Sequence, residues 1–225
     1  MRIYSHLACL THDTGPAHPE RPARLSAVTD ALHAAFPAMH WLEAPRATRG
    51  QLLRAHTPAL LQQVLDTCPS ERILLDPDTV LSPASAEAGL RAAGAVVAAV
   101  NAVLGGQTSR VFCAVRPPGH HATADVAMGF CLFNSIAVGA LHALDAHGLE
   151  RVAIVDFDVH HGNGTQAIFE HDRRILFAGS HQQPLYPGTG SRDEVGDGNI
   201  VNAPLPPGAG STEFRTVWLQ RLLPA

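Results

Sequence analysis

The segment Val152-Ala153-Ile154-Val155-Asp156-Phe157-Asp158-Val159-His160-His161-Gly162-Asn163-Gly164 begins as an unbroken apolar run and ends in acids, imidazoles and glycines. A short continuous apolar run bounded by glycine is the pattern of a strand buried on both faces, as in a parallel sheet. Alternation along an extended chain puts Asp156, Asp158 and His160 on one side, at the strand's carboxyl end. Two carboxylates buried there are costly unless a cation compensates them. An Asp-x-His pair offers oxygen and nitrogen donors suited to Zn²⁺, with Fe²⁺ and Co²⁺ as alternatives. The competing reading is a hydrogen-bonded Asp–His network that closes a turn. A second histidine pair elsewhere in the chain favours the metal.

Working outward, apolar runs and helical stretches alternate. Arg110 to Val115 and Ile175 to Gly179 are further buried strands, and the first strand is expected over Arg151 to Val159. Helices are expected over Arg21 to Phe36, Gln51 to Leu65 with an interruption at Pro58, Ser85 to Leu104, Phe133 to His147, Gln166 to His171 and Thr212 to Leu223. Continuous apolar strands separated by helices imply an α/β fold with a mainly parallel sheet covered on both faces. No repeat or linker divides the chain, so a single domain over residues 1–225 is expected. In open α/β sheets, sites form beyond the carboxyl ends of strands. The loops Arg116 to Gly129, Asp156 to Gly164 and Ser180 to Gly190 hold most of the suspicious polar residues.

The first of these loops reads Arg116-Pro117-Pro118-Gly119-His120-His121-Ala122. Two prolines stiffen it, and Gly119 permits close backbone approach before the imidazoles. The pair could bind metal, or act as general base and acid on a metal-bound water if each ring has an orienting partner. Asp156 and Asn163 are the polar groups left over for that task, Asp adding basicity and Asn orientation only.

Composition narrows the classes. The 225 residues are 46% hydrophobic and 16% charged, enough for a sizeable core, and the formal charge is -4. That charge argues against a nucleic-acid groove or an anionic membrane surface and is compatible with a cationic substrate. Four cysteines without a Cys-x-x-Cys spacing point to reduced thiols. The start of the chain has no apolar run suited to a signal peptide. The apolar stretch Ala92 to Leu104 is too short to span a bilayer, so a cytoplasmic location is expected.

At these residues the sequence resembles the histone deacetylase family, within the arginase–deacetylase fold. The likeness runs along Thr11-His12-Asp13 and His18-Pro19-Glu20-Arg21-Pro22, then Arg116 to Ala122, Gly129-Phe130-Cys131, Phe133-Asn134, Val155 to Gln166, and Pro184 to Gly190. The combination is most similar to bacterial class II-type deacetylases and acetylpolyamine amidohydrolases. The resemblance implies a three-layer α/β/α architecture, and zinc on Asp158 and His160. It implies that His120 and His121 handle protons, with Asp156 behind the first and Asn163 behind the second. Gly129 and Phe130 would line a narrow channel for an acylated amine stem, with Tyr186 on its opposite wall. Backbone carbonyls of Asp156, Asp158 and His160 would hold K⁺, although Gly179 stands where that site usually has serine. The implied partner is an acylated amine, either an acetyl-lysine protein or an acetylpolyamine. No Ser-centred nucleophile motif accompanies these residues, so metal-assisted amide hydrolysis is the expected chemistry.

The family's third zinc ligand, an aspartate, and its catalytic tyrosine lie past the matched region. The fold is therefore expected to be incomplete at its C-terminus and activity impaired, with a non-catalytic binding module as the alternative. Asp193, Glu194 and Asp197 are expected in a solvated, flexible turn rather than as ligands. An arginase-type dimetal centre would need an aspartate where Gly162 stands.

Overall fold

The computed structural model describes residues 1–225. The chain opens with strand β1 (Arg2–Ser5), the short helix α1 (Ala8–Thr11), helix α2 (Pro22–Ala35) and strand β2 (His40–Glu43). Helices α3 (Arg49–Leu52) and α4 (Pro58–Leu65) follow, then the two-residue strands β3 (Ile73–Leu74) and β4 (Val80–Leu81). Helix α5 (Ser85–Leu104), strand β5 (Val111–Cys113), helix α6 (Ser135–His147), strand β6 (Val152–Asp156) and helix α7 (Asn163–Phe169) make up the middle. Strands β7 (Ile175–Gln182) and β8 (Ile200–Leu205) and helix α8 (Ser211–Val217), extended by a π-helical turn over Trp218–Leu222, complete it.

The boundaries follow local chemistry. Pro22 and Pro58 sit at first-turn positions of α2 and α4, where a missing N–H costs nothing. Thr57 caps α4 by accepting from Leu60 N, and Thr48 with Gln51 forms a capping box on α3. Asn134 caps α6, and Gly148 ends it in the left-handed conformation at φ 68°. Helix α5 is 20 residues long and apolar enough to cross a membrane by length and composition alone. Here it is a core helix, its small residues Ala88, Gly89, Ala92, Ala93 and Gly94 buried. A Cβ on Gly94 would lie 1.9 Å from the carbonyl oxygen of Pro45, so only glycine lets that chain segment cross so closely.

The strands form two parallel three-stranded sheets, β2-β1-β5 and β6-β7-β8, and a small antiparallel pair, β3-β4. The main core, with Leu60, Leu61, Leu132, Phe133, Ile154, Ile175 and Phe177, lies under β6 and β7 against α4, α5 and α6. Each such side chain contributes about 1.5–3 kcal/mol by leaving water. The architecture is the expected α/β class with mainly parallel strands. The hydrogen-bonded ladder is interrupted, however, because β5 and β6 do not pair. Between them lies a cleft of about 660 Å³ lined by Val96, Cys113, Val115, Ile136, Ile154, Val155 and Phe157, among others.

Helices over residues 22–35, 85–104 and 135–147 and the strand starting at Ile175 match the sequence expectation. The strand expected to run to Val159 ends at Asp156, and the next residues bend. Phe157 and Val159 are 72% and 52% exposed, so that tip is not the buried edge the apolar run suggested. The helix expected to Leu223 changes to π geometry after Val217, where Leu222 packs on Ala178 and Ala203 and Trp218 Nε1 donates to Ser180 Oγ at 3.0 Å.

Candidate active site

The histidine loop is anchored from behind. Arg116, 3% exposed, donates through Nε and Nη2 to the two carboxylate oxygens of Glu20, 2.7 Å each, and through Nη1 to the carbonyls of Cys9 at 2.7 Å and His12 at 2.9 Å. A Cβ on Gly119 would lie 2.9 Å from Ser135 N and 3.0 Å from Phe133 O, which explains glycine directly before the imidazoles.

Beyond Gly119 the backbone turns, and the two rings come together with centroids 4.0 Å apart. His120 Nδ1 donates to Asp156 Oδ2 at 2.9 Å, and His121 Nδ1 donates to Asn163 Oδ1 at 2.7 Å. Both rings thus donate from Nδ1, which leaves Nε2 as the working nitrogen of each. Their basicities part company. Burial acts to lower the pKa of His120, but the hydrogen bond and charge of Asp156 outweigh it and the net shift is upward. Burial and the neighbouring His120 lower His121 to about 4, outweighing its hydrogen bond to the uncharged Asn163 and the more distant charge of Asp158. Asp156 is likewise held below the usual carboxylate range: its burial is outweighed by the bond to His120.

Asp158 and His160 do not alternate along one strand; they meet because the chain bends after Asp156. Asp158 Oδ1 accepts from His160 N at 2.8 Å and from His160 Nδ1 at 3.1 Å. The side chains are 49% and 36% exposed, so the expectation of two fully buried carboxylates does not hold for Asp158. A tetrahedral zinc with bonds of about 2.0–2.1 Å separates its ligand atoms by about 3.3 Å, close to this oxygen–nitrogen spacing. The two donors therefore fit a divalent ion. No group of three or more His, Cys, Asp or Glu side chains converges anywhere in the chain, so the usual third protein ligand is not among these residues. Asp193 and Asp197 are not brought to the centre; Asp197 pairs with His171 instead.

A pocket of about 590 Å³ joins these groups to Pro118, Gly129, Phe130, Val159 and Tyr186, with Glu20, Arg24 and Asp78 at its sides. All nine site residues expected from the sequence lie in this pocket or one hydrogen bond behind it. Gly129 adopts φ +57°, and a Cβ there would sit 2.5 Å from His121 Cδ2. Phe130 is left-handed too, at φ +69°, a strained conformation for an aromatic residue, held by Phe130 N donating to Thr79 Oγ1 at 3.0 Å and by His18 edge-on to its ring at 4.7 Å. The Tyr186 ring stands edge-on to His121 at 5.1 Å, and burial, with Asp78 and Asp76 nearby, pushes its hydroxyl up to about 12.

Several contributors carried no readable role in the sequence. His161 sits behind the centre, accepting from Thr189 Oγ1 at 2.8 Å and donating from Nε2 to Gln166 Oε1 at 2.9 Å. Glu194 was expected in a solvated turn; instead it accepts from Gly190 N, Ser191 N and Gln166 Nε2 and ties the third loop to α7. Arg116, Glu20, Thr79 and Asp78 belong to the same set. The family-like blocks His18 to Pro22, Arg116 to Ala122 and Val155 to Gln166 contain Glu20, Arg116 and His161, but assign them no role; Thr79 and Asp78 lie outside those blocks.

The parallel α/β frame with paired, oppositely tuned imidazoles beside an Asp-x-His donor pair defines a class, and the comparisons agree: the chain belongs to the histone deacetylase family, whose domain matches residues 18–225. The uncharacterized protein slr0245 of Synechocystis is 42% identical over 221 residues, covering 96% of this chain and 72% of that protein. A probable deacetylase of Archaeoglobus fulgidus is 39% identical over 223 residues, covering 96% of this chain and 62% of that protein. Among solved structures, the HDA15 HD domain superposes with a TM-score of 0.95 at 37% identity, covering 100% of this chain and 69% of that one. The chain thus spans about two thirds of the length of these relatives.

Proposed function

We propose that this chain carries the metal-binding and proton-transfer part of a hydrolase that removes acyl groups from amines, in acetyl-lysine proteins or acetylpolyamines. The observation that carries the reading is the pair of contacting imidazoles with opposite tuning, His120 on Asp156 and His121 on Asn163, beside Asp158 and His160. Asp158 and His160 would hold Zn²⁺, with Fe²⁺ or Co²⁺ as alternatives, and the bound ion would supply Lewis acidity toward the acyl carbonyl. Backbone carbonyls of Asp156, Asp158 and His160 are the candidates for K⁺, and Gly179 adds no side-chain oxygen to that set.

The chain's own residues do the rest. His121, neutral at pH 7, accepts the proton of the attacking water at Nε2. His120, made more basic by Asp156, presents Nε2 toward the developing oxyanion and passes to the departing amine the proton it needs. Phe130 and Gly129 form one wall for the aliphatic stem, and Tyr186 faces them. The exposed aromatic face selects by shape and excludes water from the amide.

A second reading, a binding module that holds acylated ligands without turnover, is favoured by the lack of a third converging metal donor. Hydrolysis of an acetyl-lysine peptide and of an acetylpolyamine, with metal content measured on the same sample, separates the two. Turnover that vanishes in His121→Ala supports the hydrolase. Bound metal with ligand affinity and no turnover supports the module, and absence of both metal and ligand binding removes either.

A further inference from the structure

The turn Met128-Gly129-Phe130-Cys131 closes on itself, Met128 N donating to Cys131 O at 3.1 Å and Cys131 N to Met128 O at 2.9 Å. Both central residues are left-handed, at φ +57° and +69°, as in a type I′ turn. The second of those positions normally belongs to glycine, and a large side chain stays there only where its surroundings fix the backbone. The amide at that position has no acceptor within the turn. For Phe130 the acceptor is Thr79 Oγ1 at 3.0 Å, supplied by the β3–β4 connection. Thr79 is fully buried and itself locked: its N donates to Asp76 Oδ1 at 2.6 Å and its O accepts from Leu75 N at 2.8 Å. Its hydroxyl hydrogen is directed at Asp78 Oδ1, 3.5 Å away, which leaves a lone pair for Phe130. A second strut starts in the same connection. His18 Nε2 donates to Asp78 O at 3.0 Å and Nδ1 accepts from Glu20 N at 3.1 Å, which stands the ring edge-on to Phe130 at 4.7 Å.

We propose that Thr79 is the positioning residue of the acyl-amine channel: its hydroxyl holds the Phe130 backbone left-handed and so sets the wall along which the substrate's aliphatic stem lies. The proposal deepens the hydrolase reading above and rests on it. Phe130 lines the pocket beside His120 and His121, whereas Thr79 does not, so Thr79 acts only through the residue it holds. Valine at position 79 has the same shape and no acceptor. The Phe130 amide then loses its partner, and nothing offsets the strain of a left-handed aromatic residue. The turn relaxes and the ring leaves its place. The acyl end of the substrate, at Asp158 and His160, is untouched by that change. The loss is therefore selective: it falls on ligands with a stem and spares the bare amide. An acetyl-lysine stem has four methylenes, and exposing one side of it to water is about tenfold in affinity.

NMR on the parent chain, Thr79→Val and Thr79→Ser tests this, with Nε-acetyl-lysine methylamide and N-methylacetamide as the two ligands. In Thr79→Val the Phe130 amide exchanges at least about tenfold faster and the contacts between the His18 and Phe130 rings disappear. Affinity for the acetyl-lysine compound falls about tenfold, while that for N-methylacetamide stays within about twofold. Thr79→Ser, which keeps the hydroxyl, restores the parent values. In a Phe130→Gly background, where glycine is at ease in the turn, Thr79→Val brings no further loss of either ligand. That pair decides the matter should Thr79→Val alone fail to fold. Equal loss of both ligands, or a further loss in the glycine background, overturns the role of Thr79 and leaves the hydrolase reading standing. A parent chain that binds neither ligand overturns both, even with the Phe130 amide protected.

Discussion

Replacing Glu20 by Gln keeps the volume of the side chain and removes its charge, which leaves Arg116 buried without its counter-ion. Glu20 is 1% exposed and Arg116 3%, and the pair makes two parallel hydrogen bonds of 2.7 Å. Removing one partner of such a pair costs about 3–5 kcal/mol, because the remaining charge has lost its compensation in a medium that cannot replace it. Two further bonds from Arg116 Nη1, to the carbonyls of Cys9 and His12, hold the guanidinium in place and prevent it from turning out to water. For a chain of this length that loss lowers the melting temperature by roughly 6–20 °C, taking about 2–4 °C per kcal/mol. Circular dichroism during thermal and urea unfolding at pH 7 measures it. The double variant Glu20→Leu with Arg116→Met recovers most of the loss, since an apolar pair of similar volume needs no compensation. A loss below about 1 kcal/mol for Glu20→Gln, the range of an exposed ion pair, would refute the claim that this bridge anchors the histidine loop.

Other perturbations test the site itself. In Asp156→Asn the largest raising influence on His120 is gone and burial is opposed by Asp158 alone, so its pKa falls relative to the parent; an NMR titration of the ring protons checks this, and an unchanged value would contradict the assignment. Gly129→Ala forces a Cβ to within 2.5 Å of His121 at a positive φ, which costs about 1–3 kcal/mol and displaces the His121 signal in the same spectra. Acid destabilises the fold through buried neutral histidines. His12, His56, His121 and His161 are each lowered to about 4, burial being the main cause. Between pH 6.5 and 4 the unfolded chain therefore binds more protons than the folded one, and stability rises with pH through that window, by up to about 3 kcal/mol per group. Urea midpoints that stay flat from pH 6.5 to 4 would count against it.

Much of this was legible because some signals are local. The helix Ser85–Leu104 follows from composition and its Gly105 stop, and the convergence of His120, His121, Asp158 and His160 follows from loops expected at strand ends. Strands β1, β2 and β8 were not legible. The run His40-Trp41-Leu42-Glu43 is short and half polar, and β8 contains Asn202 and Pro204, tolerated because it is the edge of its sheet. The alternation argument failed past Asp156 because the chain leaves extended geometry there, and no local residue marks that point. Glu194 was misread for a related reason: its partners, Gly190, Ser191 and Gln166, become visible only once the loop is folded against α7.

The most direct test is titration of the metal-free chain with Zn²⁺ by calorimetry, beside Asp158→Ala and His160→Ala. One equivalent bound by the parent chain, with affinity at least about 100-fold weaker in each variant, is the predicted result. Equal affinity in all three proteins would place the ion elsewhere and leave the paired imidazoles without the centre they are proposed to serve.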